Sequence, residues 1–392
     1  MKWLGWVIPY LFGAGGGGIP SPNPVMAPPP KEAPVPALPP SITVLPVPLI
    51  TYDSDNKLGF GAVGAFYYDD HRVEPYRLGL VLQLLETTVG VADDYLNVDL
   101  VHPFDLPVRF TGEFRYRREP NASWFGAGNT TPRLTSAPSA YNLFSQETPA
   151  ARLTVQHPLG THWSTLFAYL FEYSVISPYP GSLLEMTKPT GIGGGRNASL
   201  LLGFAYDSRD NEAWPTRGQF LEISARSSNE WTGSNFNWVG GTAIARMFFL
   251  LPGNVVLAER LLIDVMDGNV PFYDLNATGS LQEVDGLGGV NSMRGFVKDR
   301  FVGLGKVLEN VEVRRLFNSV TILNTHIDFG GVLFGDVGRV YGQTFHDGPP
   351  LLVHGDLGVG VRAMMNRELV LRLDVALSNE GPRFFAVFRN LF

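Results

Sequence analysis

Apolar and polar residues alternate with a period of two along most of this chain. The segments 58–68, 108–117 and 369–377 show the pattern most clearly. In 108–117, one face is apolar or small, and the other carries Arg109, Thr111, Glu113, Arg115 and Arg117. Because successive side chains of a β-strand point to opposite faces, this pattern predicts half-buried strands rather than helices.

Turn residues divide the alternating region into sixteen predicted strands. We place them near residues 46–53, 58–68, 76–87, 93–101, 107–118, 148–157, 162–173, 198–206, 218–228, 236–247, 254–265, 306–316, 326–337, 351–363, 368–378 and 383–392. The even-numbered connections are short or moderate, whereas several odd-numbered ones are long, at 119–147, 174–197 and 266–305. Both a soluble sandwich and a membrane barrel alternate, but short turns at one end and long loops at the other are typical of the barrel. The sequence therefore predicts an all-β fold, a 16-stranded antiparallel transmembrane β-barrel.

The amino-acid composition excludes several classes of protein and of functional site. Only 17% of the 392 residues are charged, against roughly 25% in soluble domains. Cysteine is absent, which excludes disulfides, Cys-ligated metals and a Cys nucleophile. The net charge of −7 gives no basic footprint for nucleic acid. Beyond residue 20 no apolar run approaches the roughly 18 residues of a spanning helix.

The N-terminal region has the features of an export signal followed by a linker. Lys2, a short apolar stretch and a glycine run predict a signal peptide at residues 1–19. Residues 20–48 contain twelve prolines, so we interpret 20–45 as a Pro-rich linker and 46–392 as the barrel. An exported barrel of this kind is expected in the outer membrane of a Gram-negative bacterium.

Five motifs carry a family resemblance when they are taken in order. They are Phe125–Asn129, Tyr206–Gly218, the loop Gly288–Phe296 (GGVNSMRGF), the strand Gly331–Gly338 (GVLFGDVG), and Gly358–Arg362 with Leu371–Asp374. Together they resemble the BamA/TamA-type outer-membrane assembly and translocation superfamily, the bacterial surface-antigen barrels. The resemblance covers roughly residues 46 to 392, and Met293 stands where Val or Ile is usual.

The resemblance implies a functional contact inside the barrel. In this family the sixth outer loop folds inward, so that Arg294 would meet Asp336 of the thirteenth strand. A guanidinium suits a carboxylate because it offers two parallel donors. Gly295 and Phe296 would form the loop tip, which with Arg294 and Asp336 makes a loop lock. Its supporting lumen positions would be Gly338, Arg362 and Asp374, although an ordinary luminal ion pair stays an alternative.

A second implied feature is the seam where the first strand meets the last. Pro46 and Pro48 lack amide donors, so few ladder bonds can form there, and Phe392 ends the last strand with an aromatic residue. The family uses a weak seam as a lateral gate toward lipid. Alternatively, the two prolines simply end the linker.

The implied function is assistance in inserting or translocating proteins or lipids at the outer membrane. Fewer than fifty residues precede the predicted barrel, which is too few for the family's periplasmic domains. We therefore expect a monomeric barrel that contacts outer-membrane lipid and relies on periplasmic or outer-membrane partner proteins, without nucleic acid. A loop-plugged structural or ligand-binding barrel is the alternative.

An enzymatic function has little support in the sequence. Neither a Gly-x-Ser-x-Gly elbow nor a P-loop is present. His162 and Ser164 share a strand face, but this spacing is weak support for a catalytic pair. The groups Asp69–His71 and His354–Asp356 are better explained as ordinary polar residues than as metal ligands, so no catalytic residue, metal or cofactor is expected.

Overall fold

The computed structural model describes residues 39–73, 76–134, 137–211, 214–279, 286–322, 325–342, 352–365, 369–388 and 391. Sixteen antiparallel strands close into one barrel, each paired with its sequence neighbours. They are β1 Ser41–Asp53, β2 Lys57–Asp69, β3 Leu78–Thr87, β4 Ala92–Val101, β5 Arg109–Ser123, β6 Leu143–Leu159, β7 Trp163–Pro178, β8 Gly195–Asp207, β9 Gly218–Ser228, β10 Trp238–Leu251, β11 Val255–Gly268, β12 Gly305–Ile322, β13 Thr325–Tyr341, β14 His354–Met365, β15 Leu369–Ser378 and β16 Gly381–Phe388. The predicted fold and strand number are confirmed.

Among the described residues, helical structure is confined to the connections between strands. A five-residue helix, α1, covers Leu183–Thr187, and single 3-10 turns cover Pro103–Asp105, Glu230–Thr232 and Phe272–Asp274. Within the described ranges, no helix is long and apolar enough to cross a membrane. An outer loop follows each odd-numbered strand, and we number these loops in chain order. Loop three therefore follows β5, loop five follows β9 and loop six follows β11.

The two faces of the wall have opposite chemistry. Charged side chains such as Arg226, Arg260 and Lys306 point inward and are buried. Large apolar side chains such as Ile223 and Leu333 point outward and are more than 60% exposed. A soluble sandwich places its apolar face in a core, whereas a membrane barrel turns that face to lipid. The low charge content therefore reflects an outer wall built for contact with lipid.

The seam between β1 and β16 is the weakest pairing of the wall. Among the described residues, only Tyr52↔Ala386 and Asp53↔Phe385 are in register there, whereas every other adjacent pair is in register at seven or more positions. β1 begins at Ser41, five residues before the predicted start of the barrel. Pro46 and Pro48 lie inside this strand, opposite Gly64 and Ala62 of β2.

The last strand is shorter than the sequence predicts. It ends at Phe388 rather than continuing to residue 392. Leu391 is buried against the inward-facing Phe248 and Ala258 of β10 and β11, and its carbonyl accepts a hydrogen bond of 3.3 Å from Arg260 Nη1. Phe392, the predicted signal peptide 1–19 and linker residues 20–38 lie outside the described residues.

Candidate functional site

The described residues of loop six from Gly286 onward form tight turns. Gly288 and Gly289 both have positive φ, 128° and 99°, which glycine adopts without strain. Ser292 Oγ accepts a hydrogen bond from Gly288 N at 3.0 Å and donates to Gly286 O at 2.7 Å. Phe296 N donates to Met293 O at 3.2 Å, which closes the next turn. The turns place Arg294 between them, directed at the wall.

Arg294 and Asp336 are in direct contact. Arg294 Nε lies 2.8 Å from Asp336 Oδ2, and Nη2 lies 2.8 Å from Oδ1, which is a bidentate pair. The backbone N of Arg294 also donates to Asp336 Oδ2, at 3.1 Å. The remaining guanidinium nitrogen, Nη1, donates to Glu312 Oε1 at 2.5 Å, and the guanidinium carbon lies 3.4 Å from the centre of the Phe334 ring. Arg294, Asp336 and Glu312 are all fully buried.

Arg362 and Asp374 extend this contact into a network. Arg362 Nη1 donates to Asp374 Oδ1 at 2.5 Å, and the second oxygen of Asp374 lies 3.5 Å from Arg294 Nη1. Arg314 Nε binds the free oxygen of Glu312 at 2.7 Å. Glu312 and Asp374 therefore each face at least two cations, whereas Asp336 faces one cation and the amide of Asn310, and these partners offset the cost of burying the carboxylates.

The two glycines predicted for the site stand where a side chain would not fit. A Cβ on Gly295 would collide with Asp356 Cβ and lie 2.9 Å from Ser378 Cβ. A Cβ on Gly338 would lie 2.8 Å from Met293 Sδ. Phe296 packs beside Met293 in a buried cluster with Ile244, Leu262, Leu287, Phe301, Leu308 and Val340. Gly338 thus makes room for Met293, the residue in the loop motif that departs from the usual Val or Ile.

Several contact residues were missed by the sequence analysis. Asn310 Nδ2 donates to Asp336 Oδ1 and to Ser292 O, both at 2.7 Å. Arg260 Nη2 donates to Asn291 O at 2.7 Å. Glu312 and Asn310 share the inward face of β12 with Lys306 and Arg314. Their spacing of two was visible in the sequence and could have identified them as candidates.

A second set of contacts holds loop six nearer to β11. Lys306 Nζ bridges Asp264 Oδ2 and the carbonyl of Ala277, each at 2.9 Å. Gly279 N donates to Thr242 Oγ1 at 3.0 Å, and Gly279 O accepts from Ser224 Oγ at 2.8 Å. The wall therefore binds the loop here through the loop's backbone.

Loops three and six also meet at the long-loop end of the barrel. Arg300 Nη1 and Nη2 donate to Thr131, and Arg300 Nε pairs with Glu380 at 2.6 Å. Asn129, from the predicted Gly-x-Gly-Asn element, accepts from Val340 N at 3.1 Å and donates to Leu352 O at 2.9 Å. These contacts tie loop three to loop six and to the ends of β13 and β14.

Among the described residues, the additional bonds across the seam lie at its long-loop end. Ser54 Oγ donates to Phe384 O at 3.1 Å and accepts from Phe384 N at 2.9 Å. Asp55, in the turn after β1, pairs with Arg383. Burial raises the pKa of Asp55 above its ordinary value, although Arg383 opposes this. From residue 41 to 51, β1 has no described partner on the β16 side.

The residues considered as metal ligands or as a catalytic pair have ordinary structural partners. The described ranges hold no cluster of three or more His, Cys, Asp or Glu side chains that could bind a metal. His71 lies 2.8 Å from Asp69, and His354 stacks on Phe301 with 3.9 Å between ring centres. His162 Nδ1 lies 2.9 Å from Asp207 O, whereas Ser164 accepts from Gln156 at 3.1 Å. The two residues considered for catalysis thus have these partners on different elements.

A closed antiparallel barrel with an apolar outer wall and a charged lumen defines an outer-membrane β-barrel. The Omp85 superfamily domain matches residues 84–381. The chain therefore belongs to the Omp85 superfamily, and its barrel resides in the outer membrane of Gram-negative bacteria, as the resemblance implied. No curated protein matches the sequence.

Solved structures share the fold at low sequence identity. BamA from Haemophilus ducreyi lacking POTRA domains 1–3 has a TM-score of 0.58 and 16% identity, over 89% of this chain and 70% of that one. CdiB from Escherichia coli has a TM-score of 0.59 and 11% identity, over 90% of this chain and 63% of that one. CdiB from Acinetobacter baumannii has a TM-score of 0.50 and 13% identity, over 89% of this chain and 59% of that one. The chain thus spans less than two thirds of the length of either CdiB.

Proposed function

We propose that this barrel assists the insertion or translocation of proteins or lipids at the outer membrane, without catalysing covalent chemistry. Its contacts would be outer-membrane lipid and partner proteins of the periplasm or outer membrane. The observation that carries the proposal is the β1–β16 seam, where two positions are in register among the described residues, whereas the other neighbouring strands have at least seven.

Physical chemistry supports the seam as the place where the wall opens. Each ladder hydrogen bond contributes only about 0.5–1.5 kcal/mol net, so separating two paired positions costs far less than separating a full strand. In the part of the chain that the structure describes, residues 41–51 of β1 have no strand partner on the β16 side, and an edge of this kind can pair with an added strand. Pro46 and Pro48 suit such an edge because an edge strand tolerates residues without an amide donor.

In this proposal loop six acts as the internal lock. Arg294 connects the loop to Glu312 of β12, Asp336 of β13 and Asp374 of β15. A single guanidinium therefore fixes the loop and links three of the strands that lead to the seam. The lock would keep the lumen closed and this part of the wall rigid while the seam opens.

A seam-specific disulfide tests the proposal. Since the chain has no cysteine, the double variant Tyr52→Cys/Ala386→Cys forms the only possible bridge, between residues that are in register. The matched control, Ala243→Cys/Ile263→Cys, bridges the ordinary β10–β11 pairing. Each variant would replace the native protein in a depletion strain. The measured quantities would be the abundance and heat-modifiable gel mobility of other barrels and the transfer of lipid between leaflets of reconstituted vesicles.

We expect the seam bridge to abolish activity until it is reduced, whereas the control bridge leaves activity intact. Equal activity of the oxidised seam variant and the wild type would contradict a function that depends on the seam. Normal assembly of other barrels and normal lipid transfer after depletion would contradict the assembly and transport role altogether.

A loop-plugged structural or ligand-binding barrel is the second candidate. The observation that favours it is the joining of loops three and six through Arg300 and Thr131 at the long-loop end. In planar bilayers a plug predicts small, fluctuating currents in the wild type and larger ones in Arg294→Ala. Such currents combined with normal assembly and lipid transfer in the depletion strain would favour this second candidate.

A further inference from the structure

Loop five begins with a rigid turn that follows β9. Asn229 Oδ1 accepts from Trp231 N at 2.9 Å and from Thr232 N at 3.3 Å, and Thr232 Oγ1 accepts from Asn229 N at 3.0 Å. This reciprocal arrangement is a capping box, which satisfies backbone donors that a free turn would leave to water. Ser234 N also donates to Asn229 O, at 3.1 Å. The turn, residues 229–234, therefore presents its exposed side chains in a fixed direction.

The turn lies on the outer wall of the barrel rather than over its mouth. Tyr169 of β7 is in register with Leu200 of β8, and both face outward. Tyr169 Oη donates to Thr232 O at 2.9 Å, and Thr232 Oγ1 donates to Ala198 O at 2.6 Å. Ala198 belongs to the outward set of β8, yet it is only 1% exposed. The turn thus packs on the lipid-facing side of β7 and β8.

Trp231 projects from this turn and is 99% exposed. From Ala198 towards the short-turn end, the outward face of β8 carries the exposed apolar side chains of Leu200, Leu202 and Phe204. Arg196 lies at the opposite side of the turn, towards the long-loop end, and Glu230 is exposed beside Trp231. Tryptophan is enriched where acyl chains give way to polar headgroups, because its ring is apolar and its indole N–H is a donor.

We propose that the loop-five turn is a lipid-contact site, in which Trp231 inserts at the boundary between headgroups and acyl chains of the outer leaflet. Lipid is the occupant that the geometry favours because the turn is continuous with the lipid-facing wall. The turn is bonded to β7 and to β8, so Trp231 cannot withdraw without breaking the bonds to Tyr169 and Ala198. The proposal depends on the membrane barrel alone, so the proposed transport function can fail without affecting it.

Fluorescence quenching by brominated lipid tests the site. The full-length protein and its Trp231→Phe variant would be reconstituted into phosphatidylcholine vesicles with bromine either near the carbonyl end or near the middle of the acyl chains. The difference between the two proteins isolates the emission of Trp231. Trp163 gives a matched control through Trp163→Phe, since it is half exposed at the short-turn end of the outer wall. Trp124, Trp214 and Trp238 are buried and provide a background that should not change.

We expect shallow bromine to quench the Trp231 emission at least twofold, and more strongly than deep bromine does. Soluble acrylamide should quench this emission weakly. Tyr169→Phe, which removes the bond to Thr232, should reduce quenching by lipid without changing heat-modifiable mobility. Strong quenching by acrylamide with none by bromolipid would overturn the proposal in favour of a solvent-facing loop. Protection from both quenchers would overturn it in favour of a protein partner or a second copy of this chain.

Discussion

Replacement of Arg294 by alanine is the most direct test of the loop lock. The substitution removes two hydrogen bonds to Asp336 and one to Glu312, all made by a fully buried guanidinium. Asp336 retains Asn310 Nδ2 at 2.7 Å and the backbone N of residue 294. Glu312 retains Arg314 Nε at 2.7 Å. The carboxylates therefore remain buried with fewer cations but not without partners.

The remaining partners determine how much unfolding free energy the Arg294→Ala variant should lose. Hydrogen bonds to charged groups contribute roughly 1.5–3 kcal/mol each, so three of them set an upper range of about 4.5–9 kcal/mol. Because partners remain on each carboxylate, the value should be nearer the roughly 3–5 kcal/mol typical of removing one partner from a buried ion pair. Arg294→Lys retains the charge but cannot form the bidentate pair, so its loss should be smaller.

Trypsin cleavage can be used to follow loop six, because Lys298 and Arg300 are trypsin sites close to the contact between Arg294 and Asp336. Both are held in the native protein, Lys298 by Glu119 at 2.6 Å and Arg300 by Glu380 at 2.6 Å. In Arg294→Ala, trypsin should cut after these residues at a markedly higher rate, and the unfolding temperature in detergent should fall. The matched control is Arg118→Ala, whose pair with the exposed Glu86 should be worth at most about 1 kcal/mol. If Arg294→Ala resembled Arg118→Ala in both measurements, the contact would not hold the loop.

Three further substitutions test the packing around the lock. Gly338→Ala should destabilise the barrel by about 1–3 kcal/mol in thermal unfolding, because its Cβ meets Met293 Sδ. The double variant Gly338→Ala/Met293→Val should recover most of this loss of stability. No recovery would contradict the packing argument. Gly295→Ala should displace the loop tip and speed trypsin cleavage in loop six, whereas Gly193→Ala, whose added Cβ would have no neighbour within 4 Å, should not. Lys306→Met should loosen the second contact of loop six with the wall, at residues 277–279. Its effect on the rate of trypsin cleavage should add to that of Arg294→Ala. A strongly non-additive result would show that the two contacts act as one.

The sequence predicted those parts of the site that depend on side-chain pattern. Period-two alternation predicts the strands, and the resemblance of the loop motif and of the strand of Asp336 to the family implied the contact between Arg294 and Asp336. Glu312 could have been predicted in the same way, since it lies on the inward face of β12. Its role became visible only when the structure placed Arg294 between β12 and β13.

Contacts made through backbone groups could not be predicted in this way. Lys306 binds the carbonyl of Ala277, and Ser224 binds that of Gly279. Every residue type has a carbonyl, so nothing in the loop sequence marks these positions. The placement of Thr232 on the outer wall has the same origin, because Tyr169 binds its carbonyl. The predicted end of β16 was wrong because alternating residues continue beyond Phe388, whereas Leu391 lies outside the strand and is buried against β10 and β11.

The position of Leu391 couples the segment after β16 to loop six. Arg260 donates to Asn310 in the wall, to Asn291 in loop six and to the carbonyl of Leu391. One buried guanidinium therefore joins the segment after β16 to loop six and to β12. Displacement of Leu391 would leave Arg260 one acceptor short while it stays buried, so a disturbance after β16 would reach loop six through this side chain.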